Sequence, residues 1–298
     1  SGPPMISWSR HFPKWKYPLG YLRLRAARQR YFDRIGLKQD ARGLRIGIVP
    51  GDERKLAALK NSGKGRRAFV LGNGPSLRDM DLSALKNEIT IASNGAYKAF
   101  QEWGFTPDYL LFEDIEQTEI RGQDIRNIDG PLKIAAIYNA HGIARPWNDL
   151  LFMNARLADE AYWTDPGIQF SRDFSHSVYL GSTISYIALQ LAYHLGCDPV
   201  YLIGVDMDYG PLAEQFPPGK IHVSEENIDL VNQAHFTKDY YQVGDVIGIP
   251  NFDLQNQAFG VARTAFEDAG RHIYNAGIGG KLDVFDRVDF HSLFPDKS

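Results

Sequence analysis

Five short segments carry the residue types that chemistry needs. The first is Leu71-Gly72-Asn73-Gly74-Pro75-Ser76-Leu77. Gly72 and Gly74 would let the backbone approach a phosphate or sugar closely, and the Asn73 amide and Ser76 hydroxyl can hydrogen-bond a nucleotide. The third glycine of a dinucleotide fingerprint is missing, and no Gly-Lys-Ser/Thr follows, so this is not a Walker loop. The second segment is Ser93-Asn94-Gly95, the third Glu113-Asp114, and the fourth Leu180-Gly181-Ser182-Thr183. The fourth opens a helix, where exposed amides make an anion site. The fifth is Gly204-Val205-Asp206-Met207-Asp208-Tyr209. Taken singly, each reads equally well as a turn or a helix cap.

Acid–base chemistry needs a titratable group near neutrality. Of eight histidines, His194 falls in an expected helix and His272 at an expected strand, so both read as structural. His235 stands in Asn232-Gln233-Ala234-His235-Phe236, inside a long polar segment. A sugar hydroxyl is a poor nucleophile, and an imidazole of pKa about 6.5 is a suitable base for it. That predicts a rate limb at about pH 6–7. The competing reading is a loop histidine bonded to backbone. Glu113, Asp114, Asp206 and Asp208 could hold Mg²⁺ beside a phosphate chain or bind sugar hydroxyls. No residue is assigned as a metal ligand.

Those segments need elements to position them. Short apolar runs predict seven strands, at 68–71, 89–92, 109–112, 133–137, 150–153, 200–204 and 272–274. Helices are expected at 20–36, 52–59, 183–195 (stopped by Gly196) and 255–269 (stopped by Gly270). Strand–helix alternation with nearly continuous apolar strands means an α/β fold, a mostly parallel sheet covered by helices on both faces. Loops after parallel strands open at one carboxyl edge, where ligands bind. All five segments converge on that edge. Residues 210–250, rich in Pro, Gly and polar side chains, read as an irregular lid. Asn61 to Gly65 reads as a linker. The expected division is a helical arm over 5–65 and a nucleotide-binding domain over 66–298 that includes the lid.

Composition narrows the class. With 44% apolar and 23% charged residues the chain is globular rather than disordered. The single cysteine, Cys197, excludes an intramolecular disulfide and any multi-cysteine metal site, and fits a reducing compartment. No apolar run is long enough to span a bilayer, and no signal sequence is visible, which predicts a cytoplasmic protein. The net charge of −3 hides an asymmetry: residues 1–67 carry 17 Lys/Arg against 4 Asp/Glu, and the remainder 16 against 32. The arm interleaves its cations with Trp8, Trp15, Tyr17 and Tyr21, a composition suited to an anionic membrane surface through residues 5–36. It equally suits packing on the domain or on a second subunit of a homo-oligomer. The acidic body argues against a nucleic-acid partner.

In order, Gly-Asn-Gly-Pro-Ser-Leu, Ser-Asn-Gly, Pro-Asp-Tyr, Gly-Ser-Thr and Gly-Val-Asp-Met-Asp-Tyr make the chain resemble one superfamily. It contains the bacterial CMP-sialic acid sialyltransferases, the motility-associated flagellin glycosyltransferases and the archaeal-type 6-hydroxymethylpterin diphosphokinases. The resemblance covers about residues 66–290. It implies a Rossmann-like domain, a variant of the GT-A architecture, with a lid. It implies that Asn73 and Asn94 contact a CMP-sugar donor and that Ser182 and Thr183 approach the nucleotide. By the same resemblance Tyr209 steadies the donor phosphate and His235 is the general base. Gly72, Gly74, Ser76, Gly95, Glu113, Asp114 and Asp206 complete the expected donor site. The implied activity is transfer of an acidic, nonulosonate-type sugar from a CMP-linked donor to a glycan or lipid-linked acceptor, without a cofactor. The carboxylates depart from the sialyltransferase pattern and support an alternative, a diphosphokinase using ATP and Mg²⁺. A third reading is a nucleotide-binding subunit that recruits a partner through the arm.

Overall fold

A computed structural model describes residues 52–139, 149–155 and 167–294, together with 26, 30, 38–39 and 45–46. Apart from residues 26 and 30, which are helical, the expected helix over 20–36, and with it the proposed membrane contact of residues 5–36, lies outside the described residues. Two short strands precede the body, β1 (Lys38–Gln39) and β2 (Arg45–Ile46), paired antiparallel. Helix α1 (Asp52–Ala57) follows.

All seven expected strands form, within a residue of their expected ends: β3 (Ala68–Leu71), β4 (Ile89–Ser93), β5 (Tyr109–Phe112), β6 (Leu132–Ala136), β7 (Leu150–Met153), β8 (Val200–Ile203) and β11 (Ile273–Asn275). They make one sheet in the order β11-β8-β3-β4-β5-β6-β7, and every neighbouring pair is parallel. The strand period of two sorts side chains to two cores. Val70 and Ile91 join Leu189, Leu191, Phe259 and Phe266 on one face. Phe69, Leu71 and Ala92 join Trp103, Ile125, Phe236 and Ile247 on the other. The fold is therefore Rossmann-like, with a mostly parallel sheet buried on both faces.

The helices between the strands are α2 (Phe100–Trp103), α3 (Ile115–Arg126), α4 (Ile184–Leu195) and α7 (Phe252–Glu267). Helix α4 starts on Thr183, whose side chain accepts from the Ser185 N–H, and stops on Gly196 at φ 78°. Helix α7 starts three residues earlier than its apolar pattern predicts because Asn251 caps it, accepting from the Leu254 N–H. The chain enters the sheet at β3, lays β4 to β7 on one side, then crosses through α4 to place β8 on the other. The loops after β3 and β8 therefore diverge at a topological switch point, where such sheets bind ligands.

Two expectations are corrected. Residues 210–250 are not irregular. They form α5 (Pro211–Gln215), β9 (Gly219–His222), α6 (Ile228–Gln233) and β10 (Val246–Ile249), with β9 and β10 antiparallel. Leu212, Val231, Phe236 and Ile247 from this segment are buried in the second core. Its apolar residues are real anchors, but each run is too short to show a period. Residues 61–65 are not a loose linker either. The Asn61 and Gly63 N–H groups donate to the His194 and Leu195 carbonyls at 3.0 and 2.8 Å. A side chain at position 63 would press on Cys197 Sγ, so glycine is required. Just upstream, Asp52 in α1 accepts from the Phe152 N–H at 2.9 Å, and Leu56 is 1% exposed. Residues 52–65 thus pack on the body although their charge resembles the arm. Among the described residues no helix is long and apolar enough to cross a membrane.

Candidate functional site

A cavity of about 420 Å³ opens at the carboxyl edge, over the switch point. The loop after β3 contributes Gly72, Asn73 and Gly74, and the loop after β4 contributes Asn94. Glu113 and Asp114 follow β5, and Ser182 and Thr183 precede α4. Asp206 and Tyr209 come from the loop after β8, and His235 from the turn after α6. Of the thirteen expected site residues, Ser76 and Gly95 are not part of this wall.

The glycine loop lines the cavity and also meets the β8 loop. The Gly72 N–H donates to the Ile203 carbonyl and the Gly74 N–H to the Gly204 carbonyl, both at 2.8 Å. A Cβ at position 72 would overlap the Gly204 carbonyl, and one at 74 the Asp206 carboxylate. These glycines let the β3 and β8 loops touch, and their N–H groups are not open to a phosphate. Gly72→Ala should therefore destabilise the fold by about 1–3 kcal/mol through overpacking. Urea unfolding reads this directly, and wild-type stability in the variant would contradict it. Ser76 closes the same junction: its N–H donates to Asp206 Oδ2 at 2.9 Å and its hydroxyl to Oδ1. Ser76 thus engages Asp206 and lies outside the cavity wall. Gly95 is likewise committed, donating its N–H to the Tyr240 hydroxyl at 3.0 Å.

The asparagines behave differently. Asn73 donates through Nδ2 to Ser93 Oγ at 3.3 Å, yet Asn73 Oδ1 and Asn94 Oδ1 are buried without any partner. An orphaned buried acceptor costs about 1–3 kcal/mol. Backbone strain gathers here too: Asn94, Ser182 and Met207 have φ of 51°, 59° and 48°, in the left-handed region that side chains disfavour. All three line the cavity.

The carboxylates are individually engaged. Glu113 accepts from the Tyr138 hydroxyl, and its carbonyl accepts from Asn139 Nδ2 at 2.6 Å. Asp114 caps α3, accepting from the Gln117 N–H at 2.7 Å. Asp208 accepts from the Gly210 N–H at 2.8 Å and pairs with Lys281 at 3.2 Å. Among the described residues no group of three His, Cys, Asp or Glu side chains is placed to hold a metal ion.

His235 is 4% exposed. Its Nδ1 lies 2.9 Å from the Val231 carbonyl. A carbonyl only accepts, so Nδ1 carries the proton and Nε2 keeps the lone pair. The ring stacks on Tyr240 at 4.3 Å and 19°, with Tyr241 and Tyr209 at 5.1 and 5.7 Å. Burial, with Arg121 and Arg78 nearby, pushes its pKa down to about 4. The expected limb near neutrality is corrected accordingly: this imidazole is neutral throughout the physiological range. Burial also raises the Tyr209 hydroxyl well above its usual range. His194 is structural as expected, buried with Nε2 at 2.9 Å from the Leu56 carbonyl.

Several wall residues carry no sequence motif: Gln117, Tyr240, Tyr241 and Gln255. The adjacent tyrosines in an otherwise polar segment were the one available signal. Gln255 donates to the Ser182 carbonyl at 2.9 Å, which ties α7 to the strained turn before α4.

Residues 49–211, more than half of the chain, match the sequence model of a family described as 6-hydroxymethylpterin diphosphokinase MptE-like. No curated protein matches the chain. Among solved structures, the MAf glycosyltransferase from Magnetospirillum magneticum AMB-1 aligns with a TM-score of 0.48 and 17% identity, over 81% of this chain and 38% of that one. The sialyltransferase CstII from Campylobacter jejuni, in complex with the substrate analogue CMP-3FNeuAc, aligns with a TM-score of 0.39 and 15% identity, over 75% of this chain and 86% of that one. The chain thus spans well under half the length of the Magnetospirillum protein.

Proposed function

The chain belongs to the 6-hydroxymethylpterin diphosphokinase MptE-like family, and within that family we propose, from the site rather than from the family's description, that it is a glycosyltransferase moving an acidic, nonulosonate-type sugar from a CMP-linked donor to a glycan or lipid-linked acceptor. The observation that carries this reading is the pair of orphaned acceptors, Asn73 Oδ1 and Asn94 Oδ1, on the same wall as a neutral, oriented imidazole. A cytosine amine or ribose hydroxyls offer the donors those oxygens lack. His235 Nε2 then accepts the proton of the attacking acceptor hydroxyl as the bond to the CMP phosphate breaks. The wall's charge agrees. Glu113, Asp114, Asp206 and Asp208 line it together with Lys220, a balance that tolerates one phosphate better than three. The basic arm suits an acceptor held at an anionic membrane surface.

The family's description favours a second reading, diphosphoryl transfer from ATP. Mg²⁺ is usually held by one or two carboxylates plus substrate phosphates. Glu113 and Asp114, adjacent after β5, would be that pair, and the ion would neutralise charge on the phosphate chain. A thermal-shift panel separates the two. CMP at about 100 times its dissociation constant should add about 2.7 kcal/mol without metal. A response to ATP with Mg²⁺ and none to CMP would replace the first reading by the second.

A further inference from the structure

Arg121, in α3, is fully buried. Its Nε donates to Gln117 Oε1 and its Nη2 to the Tyr240 carbonyl, both at 3.1 Å. The guanidinium lies 4.6 Å from the Tyr240 ring centroid and 5.7 Å from that of Tyr241. Nη1 makes no hydrogen bond, although the Tyr97 hydroxyl stands close to the guanidinium. Among the described residues no carboxylate pairs with this arginine. Asp124 stands one step removed, bonded to the Tyr97 hydroxyl at 2.6 Å.

A buried cation without a counter-ion is expensive, and aromatic faces offset only part of that cost. Gln117, Tyr240 and Tyr241, which surround the guanidinium, are themselves cavity wall, so the charge sits one side chain behind the ligand space. The Tyr240 oxygen accepts from Gly95, which leaves its own proton to donate elsewhere. Burial raises both hydroxyls above their usual range, so both remain protonated donors. Low dielectric strengthens the field of an uncompensated charge.

We propose that Tyr240 and Tyr241, backed by the buried Arg121, form an oxyanion subsite for a phosphate or carboxylate of the bound substrate. This rests on reading the cavity as a nucleotide-sugar site. It also adds positive potential to a wall on which Lys220 otherwise stands among four carboxylates.

Calorimetric titration of the full chain with two matched pairs of probes tests it: CMP against cytidine, and free N-acetylneuraminate against its methyl ester. The wild type should favour the anion of at least one pair by roughly 10- to 100-fold, as expected for a charge-assisted hydrogen bond. The pair that discriminates identifies phosphate or carboxylate as the group bound. That preference should collapse in Arg121→Met and in Tyr240→Phe; if Arg121→Met does not fold, the phenylalanine variant decides. An unchanged preference in the folded variants overturns the subsite, as does a wild type that favours neither anion. Cytidine and CMP binding equally, with no preference for the sugar acid, removes the subsite and leaves the nucleotide reading. A variant-sensitive preference for the sugar acid, with neither cytidine nor CMP bound, keeps the subsite and removes the CMP donor.

Discussion

His235→Gln should lower turnover by about 10²–10⁴-fold while donor affinity stays nearly unchanged. The imidazole acts on the acceptor hydroxyl and makes no required contact with the nucleotide. Glutamine keeps a polar side chain of similar reach but offers no titratable lone pair. The pH profile gives an independent reading. With the His235 pKa near 4, kcat/KM should stay level through neutrality and fall only as pH drops below about 5, in contrast to the limb an ordinary imidazole would give. The same shift couples to stability. Between pH 6.5 and 4 the unfolded chain binds the proton that the folded histidine refuses, so stability falls as pH falls through that window. The pKa of His194 is also lowered by burial and adds to the trend. In the glutamine variant the His235 share disappears, and the melting temperature should decline less steeply over that window. Full turnover in His235→Gln would remove the base from the mechanism.

How much of this was legible in the sequence follows from range. The strands were legible because a parallel sheet buried on both faces demands continuous apolar runs, and Phe69-Val70-Leu71 or Leu110-Leu111-Phe112 can be little else. Helix ends were legible where a local cap decides them, as at Thr183 and Gly196. The site was legible as a set of loops, because strand direction alone sends them to one edge. The role of each residue in those loops was not. Gly72 and Gly74 read as ligand-facing, yet the β8 loop, more than 130 residues away in the chain, requires them. Ser76 and Asp206 each read as ligand contacts, and only the fold reveals them as each other's partners. The segment over 210–250 hid its structure because its apolar runs are too short to show a period and part of its anchoring is to distant elements, as where Phe236 meets Trp103. Arg121 had no signature, since its contact with Tyr240 forms only when α3 packs directly against the turn after α6, 119 residues further along the chain.

The asparagines offer the second large effect, and the sign of their stability change makes it diagnostic. Removing a hydrogen-bonded buried group usually destabilises, but Asn73 Oδ1 and Asn94 Oδ1 have nothing to lose in the free protein. Asn73→Ala gives up only the 3.3 Å bond to Ser93 and deletes an unsatisfied acceptor. Its melting temperature should therefore stay within a few degrees of wild type. At position 94, φ of 51° would strain alanine by about 1–2 kcal/mol, so Asn94→Gly is the cleaner substitution. Each variant should weaken CMP binding by roughly tenfold, the value of about one good hydrogen bond in a desolvated site. The double variant should approach the product of the two if the oxygens contact different donors, and fall short of it if they share one. Such a pattern, affinity lost with stability kept, is what a site strained for a ligand must show. Should both variants unfold easily and bind CMP as tightly as the wild type, the orphaned oxygens would belong to the fold, and the donor pocket would have to be sought elsewhere on the carboxyl edge.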